Sequence, residues 1–191
     1  MESRKNQTDK IPKPEPNIDP ALVKETFNLL ASKGFIKFTE TGAYIPTERG
    51  WKLLREIKTF KEEIRGKGNK NVSDCNESIK FVREESGDEC TLVVGCDKGV
   101  NDLKEEFKNA LKEGAFLEVH IRVDGEEEKI TAYGSPALKL TGNCIEIRTD
   151  DKINGCTIGI MANRKISDLN PNFLRKIREE KEVEVVFLAR L

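Results

Sequence analysis

The chain has 191 residues, 35% of them charged, and a formal net charge of -1. That length suits one domain of ordinary size plus an appendage, and the charge balance excludes the basic excess of a dedicated nucleic-acid binder. No apolar run approaches the roughly 20 residues of a membrane span and the N-terminus lacks a signal-like apolar core, so the expectation is a soluble cytoplasmic protein with no membrane partner.

Residues 1–17 mix Lys, Pro, Asn and Glu around Pro12, Pro14 and Pro16 and read as a disordered tail. Asp19-Pro20 then supplies an N-cap and a first helical position. Leu22, Val23, Phe27, Leu29 and Leu30 form the apolar face of that helix, and Gly34 ends it in a left-handed cap. Phe35 to Thr39 alternates as a strand, Thr41-Gly42 turns the chain, and Ala43 to Pro46 returns it. Thr47 caps a second helix with Trp51, Leu54, Ile57 and Phe60 at helical spacing.

From about Ile64 the chain repeats itself at an offset of 66 residues without a gap. Ile79 answers to Ile145, Cys90-Thr91 to Cys156-Thr157, Asp102-Leu103 to Asp168-Leu169, Phe107 to Phe173 and Glu118-Val119 to Glu184-Val185. Two copies are too few for a solenoid, so the pattern predicts a duplicated unit packed on itself with pseudo-twofold symmetry. Copy one reads as strands near 64–68, 77–83 and 90–96, a helix at 103–113 and a strand at 116–123. Copy two places the same elements near 128–134, 143–149, 156–162, 170–180 and 182–189. Asp124-Gly125 is the hairpin turn between copies, Asn170-Pro171 starts the second helix, and Asp102 with Glu105 has the spacing of a capping box on the first.

The expected fold class is therefore α+β: an internally duplicated β-β-β-α-β repeat forming a pseudo-twofold barrel or twisted, largely antiparallel sheet. A small winged-helix-like module precedes it. The expected divisions are tail 1–17, module 18–62 and duplicated domain 63–191, with repeats 64–129 and 130–191.

Leu29 to Leu54 resembles the last helix, wing and following helix of archaeal winged-helix domains. Residues 64–191 resemble an archaeal family known as domain of unknown function 371. The resemblance is carried by Gly87-Asp88 before Cys90, Cys96-Asp97-Lys98, Asp102-Leu103, Ile130 to Gly134 and Ala162-Asn163-Arg164. The family's Gly-His-Pro-Asn segment is Gly68-Asn69-Lys70-Asn71 here, and Asn76 stands at a second family histidine. The resemblance implies that any histidine chemistry of relatives is absent from this chain.

Lys98 and Arg164 end the third strands while Asp102 and Asp168 lead into the helices. These four form the candidate ligand-binding set, because cations gathered at helix N-termini suit an anion. The plainer reading makes the two aspartates helix caps. Residues 1–62 hold 12 basic and 9 acidic side chains against 21 and 25 in the remainder, so contact with an anionic polymer falls to the N-terminal part. Lys24, Lys33 and Lys37 are the candidate nucleic-acid contacts there. His120, the only histidine, faces away from Leu117, Val119, Ile121 and Val123 and reads as a solvated strand-face residue. Glu84-Glu85 and Asp150-Asp151 read as solvated hairpin acids, and Cys90 and Cys156 as small buried hydrophobes. Five cysteines with no CxxC pair and an odd count predict reduced thiols. No catalytic residue, metal or cofactor is expected. The function these features imply is a binding or regulatory module sensing a ligand or partner, associated with nucleic acid through the N-terminal module, with a homodimer as a further expectation. The alternative is an enzyme acting on an anionic small molecule at a cleft between the repeats.

Overall fold

Pro20 opens helix α1 (Pro20–Ser32), and the chain leaves it through Gly34 at φ +74°, where the Gly34 and Phe35 amides donate to the Ala31 and Leu30 carbonyls. Strands β1 (Ile36–Phe38) and β2 (Tyr44–Pro46) pair antiparallel, Lys37 opposite Ile45. Thr47 Oγ1 then accepts the Gly50 amide at 3.2 Å, the expected cap on a helical turn at 48–50. On α1 the expected apolar face is largely open, with Leu29 58% and Val23 37% exposed. The computed structural model describes residues 20–39, 43–50, 52 and 57–191. The expected tail, the Asp19 cap, the Thr41-Gly42 turn and the Trp51 and Leu54 positions lie outside those residues.

The chain divides into two compact units, Met1–Glu56 and Ile57–Leu191. Strand β3 (Thr59–Gly68) begins the second, so Phe60 belongs to a strand rather than to the expected helix. Alternation explains the difference: Phe60, Glu62 and Ile64 point the same way at a period of two, and β10 takes up Phe60 opposite Ala189. The remaining strands are β4 (Ser78–Phe81), β5 (Thr91–Val94), β6 (Phe116–Val123), β7 (Glu126–Tyr133), β8 (Ile145–Arg148), β9 (Thr157–Gly159) and β10 (Glu182–Arg190). Helices α2 (Glu105–Lys112) and α3 (Pro171–Arg178) precede β6 and β10.

These eight strands form one mixed sheet in the order β7-β6-β10-β3-β5-β4-β8-β9. Only β4–β5 and β8–β9 run parallel among the paired strands described. Its outer members meet, because Tyr133 and Ile160 exchange both backbone hydrogen bonds at 2.9 Å. That bridge has a counterpart 66 residues earlier, where Lys67 pairs with Val94 between β3 and β5. The turn between β6 and β7 is the expected one, with Asp124 at φ 46° and Gly125 at φ 81°.

Phe107 and Phe173 are fully buried beneath α2 and α3, and Leu111 and Ile177, four residues on, are buried with them. Both helix ends press on sheet backbone. A side chain at Gly68 would overlap the Ile177 carbonyl, and one at Gly134 the Leu111 carbonyl. Phe81 and Phe187 fill the centre edge-to-face with ring centroids 5.7 Å apart. Asn170 caps α3 as expected, its side chain accepting the Asn172 amide at 2.8 Å, with Pro171 at the first helical position. Asp102 does not cap α2. Its carboxylate closes a separate 3-10 turn, Val100–Asp102, by accepting the Gly99 amide at 2.9 Å, and Lys104 takes the N-cap position.

The cysteines overturn the expectation of free thiols. Cys75 is bonded to Cys90 and Cys144 to Cys156, leaving Cys96 free and buried. Spacing along the chain hid this. The paired Cα atoms lie 5.0 and 5.2 Å apart only because β4 runs beside β5 and β8 beside β9. Cys90 and Cys156 match across the 66-residue offset, but their partners Cys75 and Cys144 do not.

Candidate functional site

The four junction residues fall into two local groups. Lys98 Nζ lies 3.1 Å from Glu62 Oε2, and the other oxygen of Glu62 accepts the Lys104 amide at 2.8 Å. Arg164 pairs with Glu128 and donates to the Asp168 carbonyl, while Glu128 Oε1 accepts the Asn170 amide at 2.6 Å. Glu62 and Glu128 are buried, 3% and 7% exposed. Each helix N-terminus and each cation therefore already has a carboxylate, supplied by β3 or β7. Asp102 is engaged by Arg83 NH1 at 2.9 Å, and Asp168 closes its own turn on the Lys165 amide at 3.1 Å. No hydrogen bond or ion pair joins the Lys98 and Asp102 group to the Arg164 and Asp168 group among the described residues.

The groups that line an open space lie elsewhere. A cleft of about 650 Å³ opens over β4 and β8, where Lys80 stands opposite Glu146. Matched positions line it from both sides: Lys80 on β4 and Val82 just past its end, Glu146 and Arg148 on β8, each pair offset by 66. Two Asx turns form its rim. Asp88 Oδ1 accepts the Cys90 amide at 3.1 Å and the Thr91 hydroxyl at 2.8 Å; Asn154 Oδ1 accepts the Cys156 amide at 2.8 Å and the Thr157 hydroxyl at 3.2 Å. The recurring Cys-Thr dipeptide is thus the signature of a locked turn.

Charge is distributed unequally over this common frame. In one half Lys80 Nζ meets Asp88 Oδ2 at 2.6 Å. In the other, Glu146 is 2% exposed and accepts from Arg148 NH1 at 3.1 Å and Asn154 Nδ2 at 2.5 Å. Arg148 in turn grips Asp150 with Nε and NH2 at 2.6 and 3.0 Å. The Asp150 carboxyl is held well below its ordinary range by the Arg148 hydrogen bonds, so this hairpin acid is engaged rather than merely solvated. Partial burial opposes ionisation of Asp88, but the Lys80 and Thr91 hydrogen bonds outweigh it and lower its pKa. Arg148 is pushed up, chiefly by Asp150.

His120 is half-buried, its Nε2 2.8 Å from Glu118 Oε1 and its Nδ1 3.0 Å from Glu127 Oε1. Glu118, 5% exposed, also meets Lys129 and Arg190, and the Lys129 hydrogen bond lowers its pKa most. The histidine is a member of a charged network across β6, β7 and β10, not an isolated solvated ring. Lys24 on α1, Lys33 just after it and Lys37 on β1 are all exposed.

Sequence reasoning missed Glu62, Glu128, Lys80 and Glu146. The first two are identical at the 66-residue offset, but Glu62 lies two residues before the repeat's start at Ile64. The second two hold opposite charges at matched positions, which a search for identity passes over.

A large mixed sheet carrying few helices, with a polar cleft over its β4–β8 seam, defines a mixed α+β protein. The chain belongs to the family described as Domain of unknown function (DUF371), whose match covers residues 84–190. It is also similar to an uncharacterised protein of Methanocaldococcus jannaschii, 30% identical over 125 residues that span 63% of this chain and 93% of that protein. Among the described residues no helix is long and apolar enough to cross a membrane.

Proposed function

We propose that residues 57–191 are an internal duplication closed into a pseudo-twofold barrel, and that the barrel is a binding module for a small polar molecule held in the β4–β8 cleft. Supporting the duplication, the Lys67–Val94 and Tyr133–Ile160 pairings and the Gly68 and Gly134 helix contacts all recur at an offset of 66. One observation carries the binding reading. Matched positions from both halves line the same cleft, and their charges differ there in kind, with Lys80 against Glu146 and Val82 against Arg148. A scaffold under no demand but folding gains nothing from a polar, ion-paired seam, whereas a ligand bearing donors and acceptors is recognised by one.

Binding is favoured over the catalytic alternative because the shifted groups in and beside the cleft move the wrong way for proton transfer. Asp88 and Asp150 go down and Arg148 goes up, all away from neutral pH. The test is two-dimensional NMR of the isotopically labelled full chain titrated with amino acids, dicarboxylates and mononucleotides, each to about 10 mM, an excess that detects dissociation constants in the millimolar range. Saturable shifts confined to the amides of Thr91, Glu146, Arg148 and Thr157 support the reading. Shifts at Lys98 and Arg164 instead, or none in any series, overturn it.

A further inference from the structure

The two disulfides differ in environment. Cys75 is 5% exposed and belongs to the hydrophobic core, and its half-buried partner Cys90 packs against that core. Cys144 and Cys156 are both half-buried, stand outside the core, and line the cleft beside Glu146 and Arg148. We propose that Cys144–Cys156 is a thiol–disulfide exchange site, opened and closed by small dithiols while the protein stays folded, and that Cys75–Cys90 is a permanent tie. The inference stands whether or not the cleft holds a ligand.

Access decides which sulfur reacts. The backbone of Gly142 lies directly against Cys156 Sγ, so close that a side chain at Gly142 would overlap it. We therefore assign the attack to Cys144 Sγ. A thiolate of the incoming dithiol bonds to Cys144 Sγ, the Cys144–Cys156 bond breaks, and its electron pair leaves on Cys156, which takes up a proton. The second thiolate of the reagent then attacks its own sulfur in the mixed disulfide, closing a cyclic disulfide and releasing Cys144 as the second thiol. Two electrons and two protons pass from the dithiol to the protein. Cys96 does not compete: burial pushes its thiol pKa up to about 12, leaving it protonated and sealed.

Opening the bond leaves the fold intact, because the loop keeps other ties. The Thr141 and Gly142 amides donate to the Gly155 carbonyl at 3.0 and 2.8 Å. The change does reach the cleft. Cys156 and Glu146 share Asn154, which accepts the amide of one and donates to the carboxylate of the other. Reduction therefore reports on the position of a buried carboxylate.

The test incubates the full chain at graded ratios of reduced to oxidised dithiothreitol, quenches with iodoacetamide, and locates the label by peptide mass spectrometry. Far-UV circular dichroism is recorded at every ratio. Cys144 and Cys156 should take the label together at a ratio at least about tenfold more oxidising than the one that opens Cys75–Cys90, with native dichroism and full reoxidation. A Cys75→Ser, Cys90→Ser double variant should open the cleft pair at the unchanged ratio; a shifted ratio means that the two bonds open as one unit and overturns the proposal. Opening of Cys75–Cys90 first or together, or labelling of Cys144 and Cys156 only as the dichroism is lost, overturns it equally.

Discussion

Glu62 and Glu128 stand 66 residues apart and perform one task, each holding a helix N-terminus with one carboxylate oxygen and a cation with the other. A helix whose first amides lack a side-chain cap needs such an acceptor, and α2, with Lys104 at its N-cap, has no side-chain cap of its own among the described residues. Glu62→Ala and Glu128→Ala should each destabilise the protein by about 1–3 kcal/mol, the range for an orphaned buried donor, since Lys98 and Arg164 keep part of their surface in water. Glu62→Ala should be the costlier, because α3 retains Asn170 as a cap. Urea denaturation of the two variants measures the difference: negligible losses would show the carboxylates to be dispensable, and equal losses would show that the Asn170 cap does not compensate for Glu128.

Phe107 and Phe173 fill the space under their helices without reaching solvent. Phe107→Ala and Phe173→Ala should each cost about 3–5 kcal/mol, because a shared core with helices pinned at Gly68 and Gly134 cannot collapse into the void. Thermal unfolding followed by circular dichroism checks both. A loss below about 1 kcal/mol at either site would place that ring outside the common core.

Gly114 and Glu180 end α2 and α3 in the left-handed region, at φ 89° and φ 56°. Only the glycine does so without strain. Glu180→Gly should therefore stabilise the chain by up to about 1 kcal/mol, since the ion pair it forfeits with Lys70, 3.7 Å away, is exposed. A rise in the urea midpoint is the expected result.

Acid sensitivity follows from the depressed carboxyls. Asp88, Glu118, Glu127 and Asp150 all have folded-state pKa values below their ordinary ones, held down by Lys80, Lys129, His120 and Arg148 respectively. Their contribution is complete above the unfolded values near pH 4 and is lost as pH falls through the folded ones. Urea midpoints should hold level from about pH 7 to 5 and fall steeply below about pH 4. Asp150→Asn should make that fall shallower, and an unchanged slope would mean that the Arg148–Asp150 pair contributes no pH dependence.

Much of the second unit was legible from residue pattern because alternation and turn chemistry are local. Asp124-Gly125 announced its turn, Asn170-Pro171 its helix start, and Phe107 and Phe173 their burial. What escaped depends on distance across the sheet. Phe60 looked helical beside Ile57 until β10 claimed it for a strand. Cys75 and Cys144 had no partners until parallel strands carried Cys90 and Cys156 beside them. The candidate set of Lys98, Asp102, Arg164 and Asp168 was found by recurrence, and recurrence marks what a fold needs twice. The cleft lies where the halves diverge, at Lys80 and Glu146, and divergence carries no label in a single chain.

Lys80 and Glu146 also bear on what each half can do alone. Two copies of the first half meeting along β4 would set Lys80 against Lys80, and two of the second along β8 would set Glu146 against Glu146, like charges at the closest point of an antiparallel pair. Only the mixed pairing places an ammonium opposite a carboxylate. Severed at the Asp124-Gly125 turn, the unit should thus reassemble from its unlike fragments and refuse the like ones, a lock whose two parts do not accept copies of themselves.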